Sequence, residues 1–502
     1  MWRRRLQSLL LGGRELGRWK STAVSRMEGK EVDWSQMRRP LGQPSPATHP
    51  HLLTPDQVTP GISREEYAGR RQILVDAIRM QLTAAKIAPA PLLLLLKAPS
   101  VSHSAPDVPH LFRQCSDFLY LSGFREPAAC LAVYTTPQDL DTARCRLFVA
   151  ARNAHQELWE GPRAGVDGAA ALTGIEEVEE MELLPAFLSA ISQDRPSRLL
   201  YTTAGQFSSS EPPLKPLLDK QHLIDPGLSA RHLIAQLRWT KSPAELELMA
   251  TAGRIGAESF QGAVRESLSQ PEAQESLLGS RMELEARRRL ALGLAYPPVV
   301  ASGNRANTIH YLANDAVMTA GELVLMDAGV DYHGYVSDIS RTWCPSQNPS
   351  DAAVSAAEAL CEVHRDLVKL AAEKRPLSLA DLYEAMLRLL GQALLRLRLL
   401  PSGASASQLR RAAEEVCPHH VSHYLGMDVH DTPSIPRTLP LQPGVAFTIE
   451  PGMYFPESRS QLPEEFRGLG LRVEDDVALD EEGKLQVLSK PLPIDLFELQ
   501  AL

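Results

Sequence analysis

The stretch LVLMDAGVDYHGYVSDISRT, residues 323–342, contains two aspartates at positions that suit a cation. Apolar residues typical of β-strands flank a polar turn, which predicts a β-hairpin centred between Tyr332 and His333. In that register Asp327 and Asp338 lie directly opposite each other. Two facing like charges destabilise a sheet, and a divalent cation between them is the usual remedy. The alternative is a pair of solvated aspartates near a turn, a location that aspartate favours.

Three histidines and two glutamates further along the chain could supply more ligands. The run HHVSHYLGMDVHD contains His419, His423 and His430, and an imidazole within an apolar run suits a transition metal. Glu450 and Glu474 each lie in a strand-like apolar segment, VAFTIEPGMY and LGLRVEDDVAL. An unpaired carboxylate in such a place would cost several kcal/mol, so both segments indicate a compensating positive charge.

The segment LGLRVEDDVAL leaves one choice open. Strand alternation places Arg472, Glu474 and Asp476 on one face, so periodicity does not choose between the last two as the ligand. Four carboxylates and one imidazole would neutralise two divalent cations. Such a donor set favours oxygen-preferring metals such as manganese over a thiolate-bound zinc.

Five motifs, in the order in which they occur along the chain, resemble those of the pita-bread metallopeptidases. This family includes methionine aminopeptidase, prolidase and aminopeptidase P. The matching set is VLMDAGV, VSDISRTW, SHYLGMDVHD, TIEPGMY and GLRVEDD. The resemblance implies two divalent metal ions, with Mn²⁺ expected, and it favours Glu474 over Asp476. The implied ligands are Asp327, Asp338, His423, Glu450 and Glu474. All five positions carry the expected residue, which implies an active enzyme and not a binding protein on the same scaffold.

The resemblance also implies catalytic roles beside the metal ions. Glu450 would be both a ligand and the proton acceptor, and His310, in SGNRANTIHY, would stabilise the oxyanion of the tetrahedral intermediate. Arg472 lies beside a ligand, where it could hold carboxylates in place. His430 is expected to assist by holding the substrate.

Four residues match positions that contact substrate in the family. They are Tyr296, in AYPPVV, together with His310, His419 and His430. For each of them, and for Arg472, the alternative is an ordinary hydrogen-bonded core residue.

The amino-terminal half is predicted to be an α/β domain spanning residues 63–230. A first helix begins after Ser63, and four short β-like runs follow at residues 92–96, 130–135, 145–150 and 199–202. Two motifs here, RQCSDFLYLSGFREP and ELWEGPRAGVDGA, resemble the amino-terminal domain of aminopeptidase P and prolidase. Trp159, in the second motif, is expected to pack in the core. The alternative is that it reaches the cleft of a neighbouring subunit.

The expected fold class is α/β (α+β), with a pita-bread catalytic domain at residues 231–502. Its first helix is predicted at the SPAE sequence that begins at Ser242, and a second is expected at residues 283–292. Two long helices are predicted at residues 351–374 and 378–399. The family architecture is two αβ halves folded around a curved sheet, and both halves would supply ligands.

Composition limits the remaining possibilities. The 502-residue chain has a formal net charge of -9, which argues against a nucleic-acid partner. Its six cysteines show no CxxC or zinc-type spacing and are expected to be reduced thiols of an intracellular enzyme. No segment reaches the ~20 consecutive apolar residues of a membrane span.

The first 27 residues carry seven basic residues and one acidic residue among several leucines. This composition predicts a mitochondrial transit peptide, and residues 1–39 are assigned to it and a flexible lead. Residues 40–62 are a Pro-rich segment expected to be extended. A disordered basic tail is the alternative to the transit peptide. Initiation at Met27 would yield a cytosolic form without it.

Together, the motifs imply a mitochondrial homodimeric aminopeptidase acting on peptides with proline in second position. Two related activities remain as alternatives. A prolidase would hydrolyse X-Pro dipeptides, and an intermediate-cleaving peptidase would trim one residue from processed amino termini without requiring proline. Specificity depends on the shape of the cleft, so the sequence does not separate them.

Overall fold

The computed structural model describes residues 32–194, 198–201, 230–346 and 348–502. The chain forms two compact units that divide between Arg238 and Trp239. The predicted transit peptide, residues 1–27, lies outside the described residues. Among the helices described, none combines the length and apolarity needed to cross a bilayer.

The amino-terminal unit is built on a five-stranded mixed sheet. In spatial order the strands are β8 (Glu177–Glu180), β7 (Arg144–Val149), β6 (Cys130–Tyr134), β3 (Leu92–Lys97) and β9 (Arg198–Tyr201). Strand β3 pairs parallel with β9 and antiparallel with β6. All of β3 is buried, which explains its run of five leucines, since a strand covered on both faces is apolar throughout.

Helices and short hairpins complete this unit. The helices are α1 (Arg64–Ala84), α2 (Ser116–Ser122), α3 (Ala154–Glu160), α4 (Gly165–Thr173), α5 (Leu184–Asp194) and α6 (Ala230–Trp239). The hairpins pair β1 (Gln57–Thr59) with β2 (Ile62–Ser63) and β4 (His103–Ala105) with β5 (Val108–Pro109). As predicted, Ser63 caps α1, because its hydroxyl accepts a hydrogen bond from the amide of Glu66 at 3.2 Å. In the Pro-rich segment, Leu41 and Leu53 are buried.

Trp159 does not lie in the core, so that prediction was wrong. Every residue of α3 is exposed or half-buried, and Trp159 and its neighbour Leu158 are 74% and 80% exposed. A helix of under two turns at the surface has no buried face to receive the indole. The two apolar side chains therefore form an exposed pair.

The second unit contains six helices and eleven strands among its described residues. The helices are α7 (Pro243–Ser269), α8 (Glu275–Arg288), α9 (Asp351–Glu373), α10 (Leu379–Arg396), α11 (Ala406–Val416) and α12 (Leu496–Gln500). Helix α7 begins as predicted, with a complete capping box formed by Ser242 and Glu245. The predicted helix at residues 283–292 was misplaced. The first turn of the observed helix α8 contains the buried, charged Glu275, which apolar periodicity does not detect. The helix ends before Leu290, which has a positive φ of 67°.

The strands of this unit form small antiparallel sheets. One sheet has the order β11 (Val299–Ser302), β12 (Val324–Ala328), β15 (Ile339–Trp343), and another has β10 (Gly293–Leu294), β13 (Val330–Tyr332), β14 (Tyr335–Val336). A third has β16 (Ala446–Ile449), β19 (Asp475–Leu479), β20 (Leu485–Val487), and β17 (Gly452–Phe455) pairs with β18 (Leu469–Arg472). A bridge between Ser340 and Glu474 joins the first sheet to the segment between β18 and β19.

The predicted hairpin forms, but its register was wrong by two residues. The turn is centred between His333 and Gly334, whose φ values of 53° and 88° are those of a two-residue type I′ turn. Asp327 therefore pairs with Ser340 and not with Asp338. Because the shift is even, the alternation of side chains still places the two aspartates on the same face.

Gly329 allows the two halves of this hairpin to approach closely. A Cβ at that position would lie 1.7 Å from the carbonyl oxygen of Ser337. The amide of Ser337 donates to the carbonyl of Val330 at 3.0 Å, and its hydroxyl accepts from the amide of Val330 at 3.0 Å. The DAGV sequence thus brings the residue before Asp338 against the chain that follows Asp327.

Both predicted carboxyl-terminal strands are interrupted at their glutamates. Glu450 and Pro451 separate β16 from β17, and Val473 and Glu474 separate β18 from β19. Proline has no N–H for a ladder, which accounts for the first break. Each glutamate therefore projects from irregular backbone between two strands.

The core of the second unit packs helix α7 against the sheet of β11, β12 and β15. Phe260 of α7 meets Trp343 of β15 edge to face, with ring centroids 5.9 Å apart, and Val324 and Met326 lie in the same cluster. This packing fixes the strand that carries Asp327. All six cysteines of the chain are free thiols, and four of them are buried.

Candidate metal centre

Tyr296 bridges the two aspartates of the hairpin. Its hydroxyl lies 2.6 Å from Oδ1 of Asp327 and also hydrogen-bonds Oδ1 of Asp338. Burial, and then the negative charge of Asp327 and Asp338, raises the pKa of Tyr296 well above its usual range, so the phenol keeps its proton. One hydroxyl proton serves one carboxylate at a time. A neutral phenol therefore holds the two aspartates together without cancelling their negative charge.

His423 faces three carboxylates. Its Nε2 lies 3.3 Å from Oδ2 of Asp338, 3.6 Å from Oε1 of Glu450 and 4.0 Å from Oε1 of Glu474. The ligand atoms of Asp338, His423 and Glu474 all lie within 4.8 Å of one another. Nδ1 of His423 lies 3.1 Å from the carbonyl oxygen of Tyr424, and with its proton donated there the ring holds Nε2 towards the carboxylates.

The electrostatics of this group fit cations. Burial raises the pKa of Glu450 to about 7, and burial with the neighbouring carboxylates raises that of Glu474 well above its usual range. Although burial opposes it, the hydrogen bond to Asp338 raises the pKa of His423 to about 9. Burial thus makes ionised Glu450 and Glu474 costly here, and the carboxylates around His423 favour a positive charge at its position. Oxygen-rich, crowded and buried, the donor set suits divalent metal ions.

Arg472 is the fixed cation of the site and is only 3% exposed. Its guanidinium donates to Oδ2 of Asp327 at 2.6 Å, to Oγ of Ser340 at 2.9 Å and to Oη of Tyr454 at 2.8 Å. Ser340 in turn donates to Oε2 of Glu474 at 2.7 Å. Arg472 thus orients one carboxylate directly and another through the serine that faces Asp327 in the ladder.

Asp476 binds backbone outside the ligand group. Its Oδ2 and Oδ1 accept from the amide of Asp338 at 3.0 and 3.2 Å. Burial raises the pKa of Asp476 well above its usual range. In the described chain, Glu474 belongs to the group of three mutually close ligand atoms, whereas both carboxylate oxygens of Asp476 accept from the backbone amide of Asp338. The choice that strand alternation left open therefore favours Glu474.

His419 lies between the carboxylates and Tyr454. Its Nδ1 is 3.0 Å from the carbonyl oxygen of His420 and 3.6 Å from Oε2 of Glu450, and its Nε2 is 3.0 Å from Oη of Tyr454. Burial, and then the charge of Arg472, lowers the pKa of His419 to about 4, so the ring is neutral at neutral pH. With the proton on Nδ1, Nε2 accepts from Tyr454, whose oxygen accepts from Arg472.

Two exposed histidines lie beside this group. The ring of His430 packs edge to face against His423, with centroids 4.5 Å apart and planes at 83°. Burial, and then the charge of His423, lowers the pKa of His430. His310 lies near enough for its charge to lower the pKa of both His419 and His430. Of the predicted ligands, Asp338, His423 and Glu474 have ligand atoms within 4.8 Å of one another, and Glu450 lies 3.6 Å from His423. Asp327 is linked to Asp338 through the hydroxyl of Tyr296.

Sequence reasoning missed Tyr454 and Ser340. Tyr454 connects His419 to Arg472, and Ser340 connects Arg472 to Glu474. Tyr454 ends the motif TIEPGMY and could have been noted there. Ser340 could not, because its position opposite Asp327 depends on the turn at Gly334.

Comparisons with known proteins match both units. Residues 247–481 match the family described as Metallopeptidase family M24, and residues 67–201 match the aminopeptidase P amino-terminal domain. Xaa-Pro aminopeptidase 3 of Homo sapiens is 41% identical over 467 residues, which cover 92% of this chain and 90% of that protein.

Two further similar proteins are named for different peptidase activities. The mitochondrial intermediate cleaving peptidase 55 of Arabidopsis thaliana is 34% identical over 470 residues, covering 93% of this chain and 88% of that protein. The structure of aminopeptidase P from Escherichia coli with the inhibitor Pro-Leu is similar with a TM-score of 0.76 at 28% identity. That similarity covers 88% of this chain and 98% of the other.

Proposed function

Since the chain belongs to metallopeptidase family M24 and carries an aminopeptidase P amino-terminal domain, we propose that it releases the first residue from peptides whose second residue is proline. The predicted fold class and the prediction of a peptidase are both confirmed by these matches. The observation that carries the proposal is the buried carboxylate and imidazole cluster of the metal centre with two exposed histidines beside it.

Membership of family M24 implies divalent metal ions. We assign two ions, with Mn²⁺ as the expected metal, because four carboxylates and one imidazole form an oxygen-rich donor set. The proposed ligands are Asp327, Asp338, His423, Glu450 and Glu474. Two such ions, when bound, polarise a scissile carbonyl and activate water as the nucleophile.

The residues of the chain would then move protons and hold the substrate. Glu450 is the proposed proton acceptor, and its carboxylate lies 3.3 Å from Oγ1 of Thr448 and 3.6 Å from Nδ1 of His419. His310 would donate a hydrogen bond to the developing oxyanion, and His430 would hold the peptide beyond the cleaved bond. Both imidazoles are exposed, as a contact with substrate requires.

Arg472 and Tyr296 are proposed to hold this arrangement in place. Arg472 orients Asp327 and, through Ser340, Glu474. Tyr296 keeps Asp327 and Asp338 at a fixed separation, and its half-buried ring also suits a substrate contact. Rigid carboxylates need little reorganisation during the reaction, which lowers the barrier.

The preference for proline follows from the chemistry of the bond. An X-Pro bond is a tertiary amide, so it has no N–H for an ordinary aminopeptidase to bind. A site that acts through carboxylates and histidines does not require that N–H. The names of the human and E. coli relatives agree with this substrate, and the name of the plant relative agrees with the trimming alternative.

The test is a matched peptide panel with purified protein and added Mn²⁺. Cleavage of X-Pro-Tyr, X-Ala-Tyr and the dipeptide X-Pro is followed by chromatography, with the Asp327→Ala variant as the inactive control. We expect X-Pro-Tyr to be cleaved fastest, with release of X. Preference for the dipeptide would identify a prolidase, and equal rates for the first two peptides would identify a trimming peptidase.

We also propose mitochondrial localisation and a homodimer. The basic, leucine-containing segment at residues 1–27 and the mitochondrial plant relative support the first. The exposed pair Leu158 and Trp159 supports the second, because a partner subunit seated there would remove two adjacent large apolar side chains from water. Initiation at Met27 would omit the targeting segment and leave the protein in the cytosol.

A further inference from the structure

A buried carboxylate outside the metal centre binds both ends of the loop that carries His310. Glu275 is the first residue of α8 and is 0% exposed. Its Oε1 accepts from the amide of Ser302 at 2.8 Å, the hydroxyl of Ser302 at 2.8 Å and Nε of Arg305 at 2.9 Å. Its Oε2 accepts from the hydroxyl of Tyr311 at 3.0 Å and the amide of Ala316 at 3.3 Å.

These donors lie on both sides of His310 in the sequence. The neighbours of His310, Ile309 and Tyr311, pack against a small apolar cluster that includes Leu325 and Tyr454. The imidazole between them stays exposed. His310 is therefore presented by two residues that pack inward, and one of these residues is hydrogen-bonded to Glu275.

The hydrogen bonds of Glu275 are well suited to holding the loop that carries His310. Side chains supply much of the restraint here, since the side chain of Asn314 also accepts from the amide of Val300 and donates to the carbonyl of Pro298, both at 2.8 Å. A buried carboxylate is costly unless it is fully hydrogen-bonded, and hydrogen bonds to an ionised acceptor are stronger than neutral ones. The amino terminus of α8 adds favourable interaction with negative charge.

We propose that Glu275 is a positioning residue for His310. By fixing the segment from Ser302 to Ala316 it holds the imidazole where the oxyanion forms, so that little reorganisation is needed during the reaction. This inference rests on the role given to His310 under the proposed function. Glu275 itself does not touch the reacting atoms.

The experiment compares two carboxylates on the same helix. Glu275→Gln keeps the size of the side chain and removes its charge. Glu285→Gln is the matched control, because Glu285 is also buried but pairs with Arg281, Arg288 and Arg289. We expect kcat on the best-cleaved peptide to fall about 10- to 100-fold in Glu275→Gln, with KM within about threefold of wild type and bound metal unchanged. Glu285→Gln should retain the wild-type kcat, and Glu275→Asp should recover part of the loss.

A double-mutant cycle separates positioning from general damage. In a His310→Ala background, adding Glu275→Gln should lower kcat by less than about threefold, because the residue through which Glu275 acts is gone. Hydrogen–deuterium exchange of residues 303–316 should be faster in Glu275→Gln than in Glu285→Gln. This second measurement does not depend on activity.

Additive losses in the cycle would overturn the proposal, as would unchanged kcat in Glu275→Gln. Full activity of His310→Ala would overturn it too, by removing the role on which it rests. Failure of the proposed function is a separate result, since it would show as absent cleavage of X-Pro-Tyr by wild-type protein. The cycle can then be measured with whichever peptide of the panel is cleaved.

Discussion

The guanidinium of Arg472, the last residue of β18, donates to Oδ2 of Asp327 in β12 at 2.6 Å. The same guanidinium donates to Ser340 and Tyr454, so it makes three side-chain hydrogen bonds in fixed directions. A planar guanidinium donates these bonds from three separate nitrogens, whereas an ammonium donates all of its hydrogen bonds from a single nitrogen. The geometry of the carboxylates therefore depends on an arginine at this position.

We expect Arg472→Lys to lower metal affinity and kcat by about 10- to 100-fold each, although the positive charge is kept. Metal content after dialysis and the kcat on X-Pro-Tyr are the measurements. Arg459→Lys is the control, because Arg459 binds Glu415 at the surface at 3.0 Å. Wild-type metal content and activity in Arg472→Lys would contradict the role assigned to Arg472.

The choice between Glu474 and Asp476 can be tested directly. Glu474→Gln should lower bound metal from two ions towards one or none and abolish cleavage, because it removes a ligand charge, and Asp327→Ala should do the same. Asp476→Asn should keep both ions, since its side-chain oxygen can still accept from the amide of Asp338. Elemental analysis of the three purified variants is the measurement. The opposite pattern would assign Asp476 as the ligand.

Much of this site could be predicted from the sequence, for identifiable reasons. Asp327, Asp338 and His423 are polar residues within apolar runs, and such residues are costly without a partner. The register of the hairpin could not be predicted from strand propensity, because it depends on left-handed φ values at His333 and Gly334. The alternation of apolar residues correctly predicted that Asp327 and Asp338 lie on the same face of the hairpin. It wrongly predicted that they lie opposite each other, since Asp327 pairs with Ser340.

Other features depend on contacts between segments distant in sequence. Glu275 lies 35 residues before His310, and neither apolar periodicity nor a local motif relates them. Tyr454 acquires its place from hydrogen bonds to His419 and Arg472. Trp159 was assigned to the core from its size and composition alone, but burial depends on whether the local helix has a covered face.

We expect residues 1–60 to direct a fluorescent reporter to mitochondria. Seven basic residues and one acidic residue in the first 27 provide the charge that such import requires. Fluorescence microscopy of the fusion is the measurement. A matched fusion with Arg3, Arg4 and Arg5 changed to glutamine should import less, and a fusion beginning at Met27 should stay in the cytosol. Cytosolic fluorescence of the first fusion would refute the targeting role.

We expect the purified protein to have about twice the mass of its 55.2 kDa chain in solution, and Trp159→Ser with Leu158→Ser to shift it towards monomer. Light scattering after size-exclusion chromatography gives the mass. Leu290→Ser serves as the control, because Leu290 is likewise exposed but lies after α8. A dimer unaffected by the double substitution would place the interface elsewhere, and a monomeric wild type would reject it.

The last prediction concerns stability in mild acid and depends on His364 of α9. This residue is buried, and its Nε2 lies 3.3 Å from Oδ2 of Asp475. The other oxygen of Asp475 accepts from Arg341 at 2.6 Å and from Ser489 at 2.7 Å. Burial lowers the pKa of His364 to about 4, even though Asp475 opposes the shift.

The direction of the effect follows from proton binding. A histidine in the unfolded chain has a pKa of about 6.5, so below that pH the unfolded state binds a proton that the folded state does not. The contribution of neutral, buried His364 to the free energy of unfolding is fully present above about pH 6.5. It is lost as the pH falls towards 4, at up to about 1.4 kcal/mol per pH unit. His364→Gln should therefore lose less stability than wild type between pH 7 and pH 5. Urea unfolding at both values, with exposed His155→Gln as the control, measures this difference, and equal losses in wild type and His364→Gln would show that His364 does not set the acid sensitivity.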